Sequence, residues 1–366
     1  MYKQGWLSGP TYQANATANL GLYDQRLALE WVQKYIGLFG GNKNNVTIIG
    51  ESAGGGSIMH QITAYGGLKG PVPFHQAISQ SPGFFPINSN NYEEQNFKLT
   101  LQAASLVTKR NITSVQDLRS LSTTELYYTN QFAVGVAPYG FFTYGPTVDG
   151  KFVPQLPGLL FLHGQYDKSV KVMLGHNLNE GLLFTNPYLQ NETQFQSYLT
   201  TSLPDASAAT LSYISNTLYP PVYDGTYGYK TLVARNALLV SELVFICNTR
   251  YMDKAYDLKT YSYYFTVPPG LHGEDVPYTF FNGDVTTLDN GFPVNATVAH
   301  ALQSYLTSFA QDGDPNEGDG PGVPFFPIYG TNSSTQLLSA GADFGTQVVD
   351  TAANARCDYW QKALYS

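Results

Sequence analysis

The sequence predicts an α/β fold with a mainly parallel sheet, and three observations carry that prediction. A β-branched run, Val46-Thr47-Ile48-Ile49, passes through Gly50-Glu51-Ser52-Ala53-Gly54 into a helix-compatible segment from Ser57 to Ala64, which reads as strand, tight turn, helix. Strand-like runs alternate with helical patterns along the rest of the chain, the order that builds parallel sheets covered by helices. No internal repeat, low-complexity tract or linker interrupts them, so residues 1–366 read as one domain.

Taken in order, residues 1–20 read as loop, with Ser8-Gly9-Pro10 as a turn signal. A helix is expected from Gly21-Leu22 to about Phe39, because Leu27, Ala28, Trp31, Val32, Tyr35 and Ile36 form one apolar stripe at helical spacing. Gly40-Gly41 stops it, and the polar loop Asn42 to Asn45 leads into the strand before Ser52. Ala77-Ile78-Ser79-Gln80 is a short strand ended by a Pro-Gly turn, and residues 92–131 look helical. Strands are expected at Val170–Leu174 and Tyr261–Val267, and long helices around 230–256 and 295–311.

Composition limits the function classes. Only 13% of residues are charged, the net charge is −8 and the pI is near 5.2. An acidic chain without a Lys/Arg cluster is a poor partner for nucleic acid or anionic membrane. No run of about 18 apolar residues is present, so no transmembrane segment is expected. Six Asn-x-Ser/Thr sequons occur, at Asn15, Asn45, Asn111, Asn191, Asn295 and Asn332. Asn45 runs straight into a strand and is set aside, leaving five candidate glycosylation sites. The two cysteines, Cys247 and Cys357, can form one disulfide or stand as buried free thiols. These are marks of a secreted protein, yet Met1-Tyr2-Lys3-Gln4-Gly5-Trp6-Leu7 has no signal-peptide core. The expectation is that the natural start lies upstream.

The turn at Ser52 is where chemistry is expected. A serine between a strand and a helix in Gly-x-Ser-x-Gly must take a strained backbone conformation that holds its hydroxyl out at the sheet end, with Gly50 and Gly54 avoiding collisions. The helix beginning at Ala53 aims its amides and its positive dipole end at the same place. The bland reading is a glycine-rich turn that happens to hold a serine.

Several segments resemble the type-B carboxylesterase and lipase family of α/β-hydrolases, which includes secreted fungal esterases and the cholinesterases. They are Asn19 to Val32, Phe39-Gly40-Gly41, Gly50 to Gly54, Gln80 to Gly83, Pro146 to Gly150, Asn179 to Phe184, His272-Gly273-Glu274-Asp275 and Phe309 to Asn316, in the family's order. The resemblance implies the α/β-hydrolase fold, a mainly parallel sheet with helices on both faces. It also implies that this chain lacks the fold's N-terminal strands. Cys247 and Cys357 resemble positions bridged in the cholinesterase branch.

Roles can be set beside that resemblance. A serine is a weak nucleophile without an adjacent base, and the base needs an orienting acid, in the chain order Ser, acid, His for this fold. Of six histidines, His60 lies on the helix after Ser52, His75 and His163 precede any plausible acid loop, and His300 sits in a helical pattern. His176 precedes Glu180. His272 follows the strand Tyr261–Val267 in a Pro-Pro-Gly loop and is the expected base, with a solvated loop histidine as its alternative. Glu180 is the expected acid, with a helix N-terminal carboxylate as its alternative. Glu51 and Asp275 match positions that in the family lie in a polar network near the triad, and each can be structural instead.

The expected activity is carboxylic-ester hydrolysis through an acyl-enzyme, on a small-molecule or lipid ester, with Ala53 N–H as oxyanion donor and activity rising through the ordinary imidazole range, about pH 6 to 7. No cofactor or metal is expected, since Asp312 to Asn316 has the wrong glycine and proline pattern for a calcium loop. The Gly pairs Gly40-Gly41, Gly55-Gly56 and Gly66-Gly67 are taken by other elements, so the loop that gives further oxyanion donors is expected to be missing and turnover impaired. The contrasting reading is a non-catalytic binding or adhesion-type domain.

Overall fold

The computed structural model describes residues 5–87, 90–284, 286, 288–289, 291–317 and 322–365. The extreme N-terminal tetrapeptide, Met1–Gln4, lies outside them.

The strand, turn and helix around Ser52 form as the residue pattern dictates. Strand β1 is Thr47–Glu51, and helix Ala53–Ile62 follows without a linker. Upstream, Pro10–Gln13 makes a short helix α1 inside the stretch expected to be loop, and α2 spans Leu20–Tyr35 with a 3₁₀ extension over Ile36–Phe39. The helix after Ser52 is α3. The remaining strands are β2 (Gln76–Gln80), β3 (Lys171–Asn177), β4 (Tyr261–Phe265), a small antiparallel pair β5 (Leu288–Asp289) and β6 (Phe292–Pro293), β7 (Ser334–Leu338) and β8 (Gln347–Val349).

The main sheet runs in the order β1-β2-β3-β4-β7-β8. Pairings from β1 to β7 are parallel and the last, β7 with β8, is antiparallel. Because each parallel step needs a crossover, helices pack against the sheet and bury it. β2 is buried along its whole length, and so is β3 apart from Lys171. The core lies in two main clusters. One gathers Ile58, Met59, Leu174, Phe245 and Trp360, the other Tyr263, Phe265, Leu302 and Phe309.

The margin at β1 is different. β1 pairs with β2 alone among the described strands. The apolar stripe of α2 faces outward, with Leu27 65% and Trp31 47% exposed, beside exposed Leu38, Phe39 and Ile49. Fully buried Leu22 anchors the start of α2, and polar contacts add to it. Arg26 donates to the Gln61 side chain and carbonyl at 2.8 Å each, and Gln33 donates to the Pro73 carbonyl at 3.1 Å.

Helix Leu232–Ala255, where a long helix is expected, is long and apolar enough to span a membrane. It is instead a mostly buried core helix. Arg235, Glu242 and Asp253 on it are buried and partnered: Arg235 with Glu192 at 2.7 Å, Glu242 with Arg356 at 2.6 Å, and Asp253 with Thr260 and Ser262. Cys247 on this helix is disulfide-bonded to Cys357 on the last helix, Ala355–Gln361, closing a separation of 110 residues. In the chain-entropy view a loop of that size stabilises by about 4 to 5 kcal/mol.

Candidate active site

Ser52 sits at the C-terminal end of β1 with φ 58° and ψ −120°, a region that non-glycine residues rarely adopt. Three backbone bonds hold it there. Its N–H donates to Gln80 O at 3.0 Å, and its carbonyl accepts from Gly56 N at 2.9 Å and Gly83 N at 2.8 Å. A β-carbon at Gly50 would lie 2.5 Å from the Gly54 backbone, so Gly50 is required as expected. Gly54 is not crowded, because a β-carbon there meets nothing within 4 Å. Gly55 is the tight position, where a β-carbon would press on Gln80 O and Pro82 at 2.8 Å. Helix packing against the β2 loop, rather than the turn alone, explains that second requirement.

Glu180 stands on a short 3₁₀ turn after β3 and is fully buried. Its Oε1 accepts from Ser81 Oγ and from the Asn177 N–H, both at 2.6 Å. Its Oε2 meets His272 Nδ1 at 2.5 Å. His272 Nε2 in turn lies 2.7 Å from Ser52 Oγ. Two loops from separate strands are stitched together to achieve this. Asn179 donates its N–H to Gly270 O and its side chain to Pro269 O, each at 2.7 Å, and Asn177 Nδ2 reaches Leu271 O at 2.8 Å.

The electrostatics suit a buried base. Burial pushes Glu180 upward, but the hydrogen bond and charge of His272, with those from Ser81 and Asn177, outweigh it and hold the carboxyl below its usual value. Burial pulls His272 downward, yet the Glu180 bond and the charges of Glu180, Glu51 and Asp275 raise it above the usual imidazole value. Glu51 Oε1 lies 3.4 Å from His272 Nε2. Burial, with repulsion from Asp275 and Glu180, raises Glu51 to about 7 despite His272. Asp275 is buried one layer below, where it accepts from Tyr263 at 2.5 Å and Gln80 at 3.2 Å. Ala53 begins α3 directly after Ser52, so its N–H opens the helix beside the hydroxyl.

A cavity of about 270 Å³ opens from Ser52 and Ala53 between aromatic walls that include Phe84, Phe85, Phe142 and Tyr144. Among the described residues no cluster of His, Cys, Asp and Glu could hold a metal ion. In the loop Asp312 to Asn316, Asp314 accepts from Asn316 at 2.9 Å.

Two of the other histidines are buried and engaged elsewhere. His60 is buried with Nδ1 on Gly56 O at 2.8 Å, and burial pulls its pKa down to about 4. His176, passed over only for its place in the chain, forms a second buried acid pair with Asp350 at 2.9 Å. Nothing local in the sequence announced that partner, 174 residues away. Of the sequons, Asn15, Asn111, Asn191 and Asn332 are exposed, and Asn295 is half-buried and caps helix Ala296–Asp312. Asn45 is bound on both side-chain ends, to Gln311 O and Gln76 Nε2.

Comparison with known proteins converges on one family. The model of the carboxylesterase family matches residues 4–360. The chain is 38% identical over 362 residues to a carboxylesterase, patB, of Aspergillus clavatus, and 36% identical over 363 residues to that of Penicillium expansum. Each match covers 99% of this chain and 62% of the relative, so the chain spans less than two thirds of their length. A secreted lipase of Arthroderma benhamiae is 27% identical over 98% of the chain and 68% of its own length. The crystal structure of Aspergillus niger EstA superposes with a TM-score of 0.82 over 99% of this chain and 72% of that one, at 22% identity, a likeness of fold.

Proposed function

The chain belongs to the carboxylesterase family, and on that premise we propose that it hydrolyses carboxylic esters through an acyl-enzyme built on Ser52, His272 and Glu180. The observation that carries this reading is the unbroken relay from Ser52 Oγ through both imidazole nitrogens to Glu180, at 2.7 and 2.5 Å.

In the proposed mechanism His272 Nε2 takes the Ser52 proton as Oγ attacks the ester carbonyl. Glu180 keeps the proton-bearing Nδ1 oriented and stabilises the imidazolium that forms. Ala53 N–H, with the positive end of α3 behind it, receives the oxyanion. His272 then protonates the leaving alcohol, and water attacks the acyl-enzyme by the same route. The reading assigns a single oxyanion donor. Each donor typically contributes a factor of about 100 to 1,000.

The aromatic cavity favours an apolar substituent on the substrate, as a small-molecule or lipid ester would present. The disulfide, the exposed sequons and the relatives named as secreted lipases support an extracellular, glycosylated protein. A purely adhesive domain would need none of the relay, and no other observation favours one. Labelling with a fluorophosphonate tests the reading. Ser52 is expected to take up the label, and a chain whose label maps elsewhere, or that takes none, overturns it.

A further inference from the structure

One irregular turn touches all three segments that carry the proposed triad. Helix Leu232–Ala255 leaves α geometry over Ser241–Ile246, where it makes a π-turn. Such turns are rare and recur at functional sites. Here the widened turn meets the acid segment first. Ser241 Oγ accepts from the N–H of Gly181, the residue after Glu180, at 2.8 Å. The approach is so close that a β-carbon at Gly181 would lie 2.0 Å from Ala237 O and 2.6 Å from Ser241 N.

The same turn meets the loop behind the nucleophile. Just past it, Asn248 donates to Pro82 O at 2.9 Å, and within the turn the Phe245 ring abuts Gly83, whose N–H holds the Ser52 carbonyl and whose β-carbon, if present, would lie 2.5 Å from Cε1. Phe245 then reaches the third segment. Its ring centroid is 4.2 Å from that of His272 at 40°. Phe184, which follows the acid turn, stands 5.2 Å from His272 edge-on, and the two phenylalanines are 5.1 Å apart.

Two hydrogen bonds, one at each imidazole nitrogen, fix His272 along a single axis and leave it free to roll about that axis. A ring face packed against the imidazole removes the roll. We propose that Phe245, delivered by the π-turn Ser241–Ile246, is a positioning residue that holds the His272 imidazole in register between Glu180 and Ser52. This rests on the serine-hydrolase reading above. The charged groups facing His272 come from elsewhere: Glu180 from the acid turn, Glu51 from the end of β1 and Asp275 from its own loop. Glu242, the charged residue of the π-turn, is turned to Arg356 at 2.6 Å. The helix therefore offers His272 an uncharged aromatic face, which excludes water and favours the imidazolium by cation–π attraction.

The test uses the full chain as wild type, Phe245→Leu, Phe245→Tyr and Leu239→Ala, the last a core truncation on the same helix. The readouts are the rate of fluorophosphonate labelling at Ser52 from pH 5 to 9, kcat and KM on an aryl ester, and the melting temperature. Phe245→Leu is expected to slow labelling on the order of tenfold, as misplaced reacting groups do, with the loss in kcat exceeding any change in KM. Losing the π face is also expected to move the acid limb down by about half a pH unit. Phe245→Tyr keeps the ring and is expected to recover both. Leu239→Ala is expected to melt earlier but label at the wild-type rate per folded molecule. If Phe245→Leu does not fold, Phe184→Leu, on the less buried side of the same clamp, reads the same changes at smaller size. Wild-type rate and an unmoved limb in the leucine variant overturn the proposal, as does a Leu239→Ala chain that reproduces its kinetics. A wild-type chain that takes no label overturns the serine-hydrolase reading itself, and the inference with it.

Discussion

Two buried histidine–carboxylate pairs each draw a member from β3 or the turn that follows it, and they are nearly alike. His176 meets Asp350 at 2.9 Å and His272 meets Glu180 at 2.5 Å. In both, burial works against the charged imidazole and the acid outweighs it, so both histidines are raised and both acids lowered. A tyrosine hydroxyl supports Asp350 from Tyr329 at 2.7 Å, much as the Ser81 hydroxyl supports Glu180. The difference lies at the second nitrogen. His176 Nδ1 has only a long 3.5 Å contact with its neighbour's carbonyl at Asn177, and the ring packs on Tyr264. His272 Nε2 faces a hydroxyl held out on a strained turn. A perturbed pKa and an acid partner therefore do not make a base. What marks His272 as the proposed base is a hydroxyl within reach of its other nitrogen.

The comparison can be broken most sharply at the nucleophile and the base. Ser52→Ala is expected to abolish fluorophosphonate labelling and ester turnover while the chain keeps its melting temperature, because Ser52 is at a turn outside the core. His272→Gln is expected to lose on the order of 1,000-fold or more in labelling rate, as removal of a triad member does. Residual turnover at wild-type rate in either would place the chemistry elsewhere. At the acids the two pairs part company. Glu180→Gln is expected to cost on the order of 1,000-fold in turnover. Asp350→Asn is expected to leave the rate per folded molecule unchanged and to cost stability, about 3 to 5 kcal/mol for a broken buried pair, read by denaturant unfolding. An Asp350→Asn chain that folds fully but labels slowly would show that the two pairs are coupled.

pH sharpens the contrast further, because stability and activity run in opposite directions. Each pair stabilises the fold fully between the unfolded values of its acid and its histidine, about pH 4.3 to 6.5 for Glu180–His272 and about pH 3.9 to 6.5 for Asp350–His176. That contribution is lost as pH falls through the lowered carboxyl value and as it rises through the raised imidazole value. Activity needs His272 neutral, so it climbs where the pair's stabilisation fades. With His272 raised, the acid limb is expected above the ordinary imidazole value of about 6.5, higher than the sequence alone suggested. A limb below pH 6 in kcat/KM would contradict the raised value. The smallest effect is expected from Glu51→Gln. Glu51, itself raised to about 7, carries only part of a negative charge at 3.4 Å from His272 in this range, so removing it is expected to move the limb down slightly, with a change of only a few-fold in plateau rate.

Much of the site was legible because it is local or ordered along the chain. The pattern from Val46 to Ala64 specifies strand, turn and helix by the β-propensity of its residues and by the steric demand of a serine at positive φ. Glu180 and His272 stand out as the expected acid and base from chain order, loop position and resemblance to the family, and the structure places both beside Ser52. The disulfide between Cys247 and Cys357 followed from there being two cysteines and from that same resemblance.

What the tertiary structure alone decided concerns groups whose meaning depends on distant neighbours. The stripe from Leu27 to Ile36 has helical periodicity, but periodicity does not say what covers a face, and here Leu27 and Trp31 face outward. Strands β7 and β8 are not among those expected from the sequence, and they are defined by pairing with β4 and each other. Gly55, not Gly54, is the crowded glycine because helix α3 packs on the Gln80 loop. The π-turn at Ser241 and the Asp350 partner of His176 are likewise products of packing between segments far apart in sequence. Local sterics can be read one residue after another, whereas the role of a buried ring or charge is set by whichever element the fold places against it.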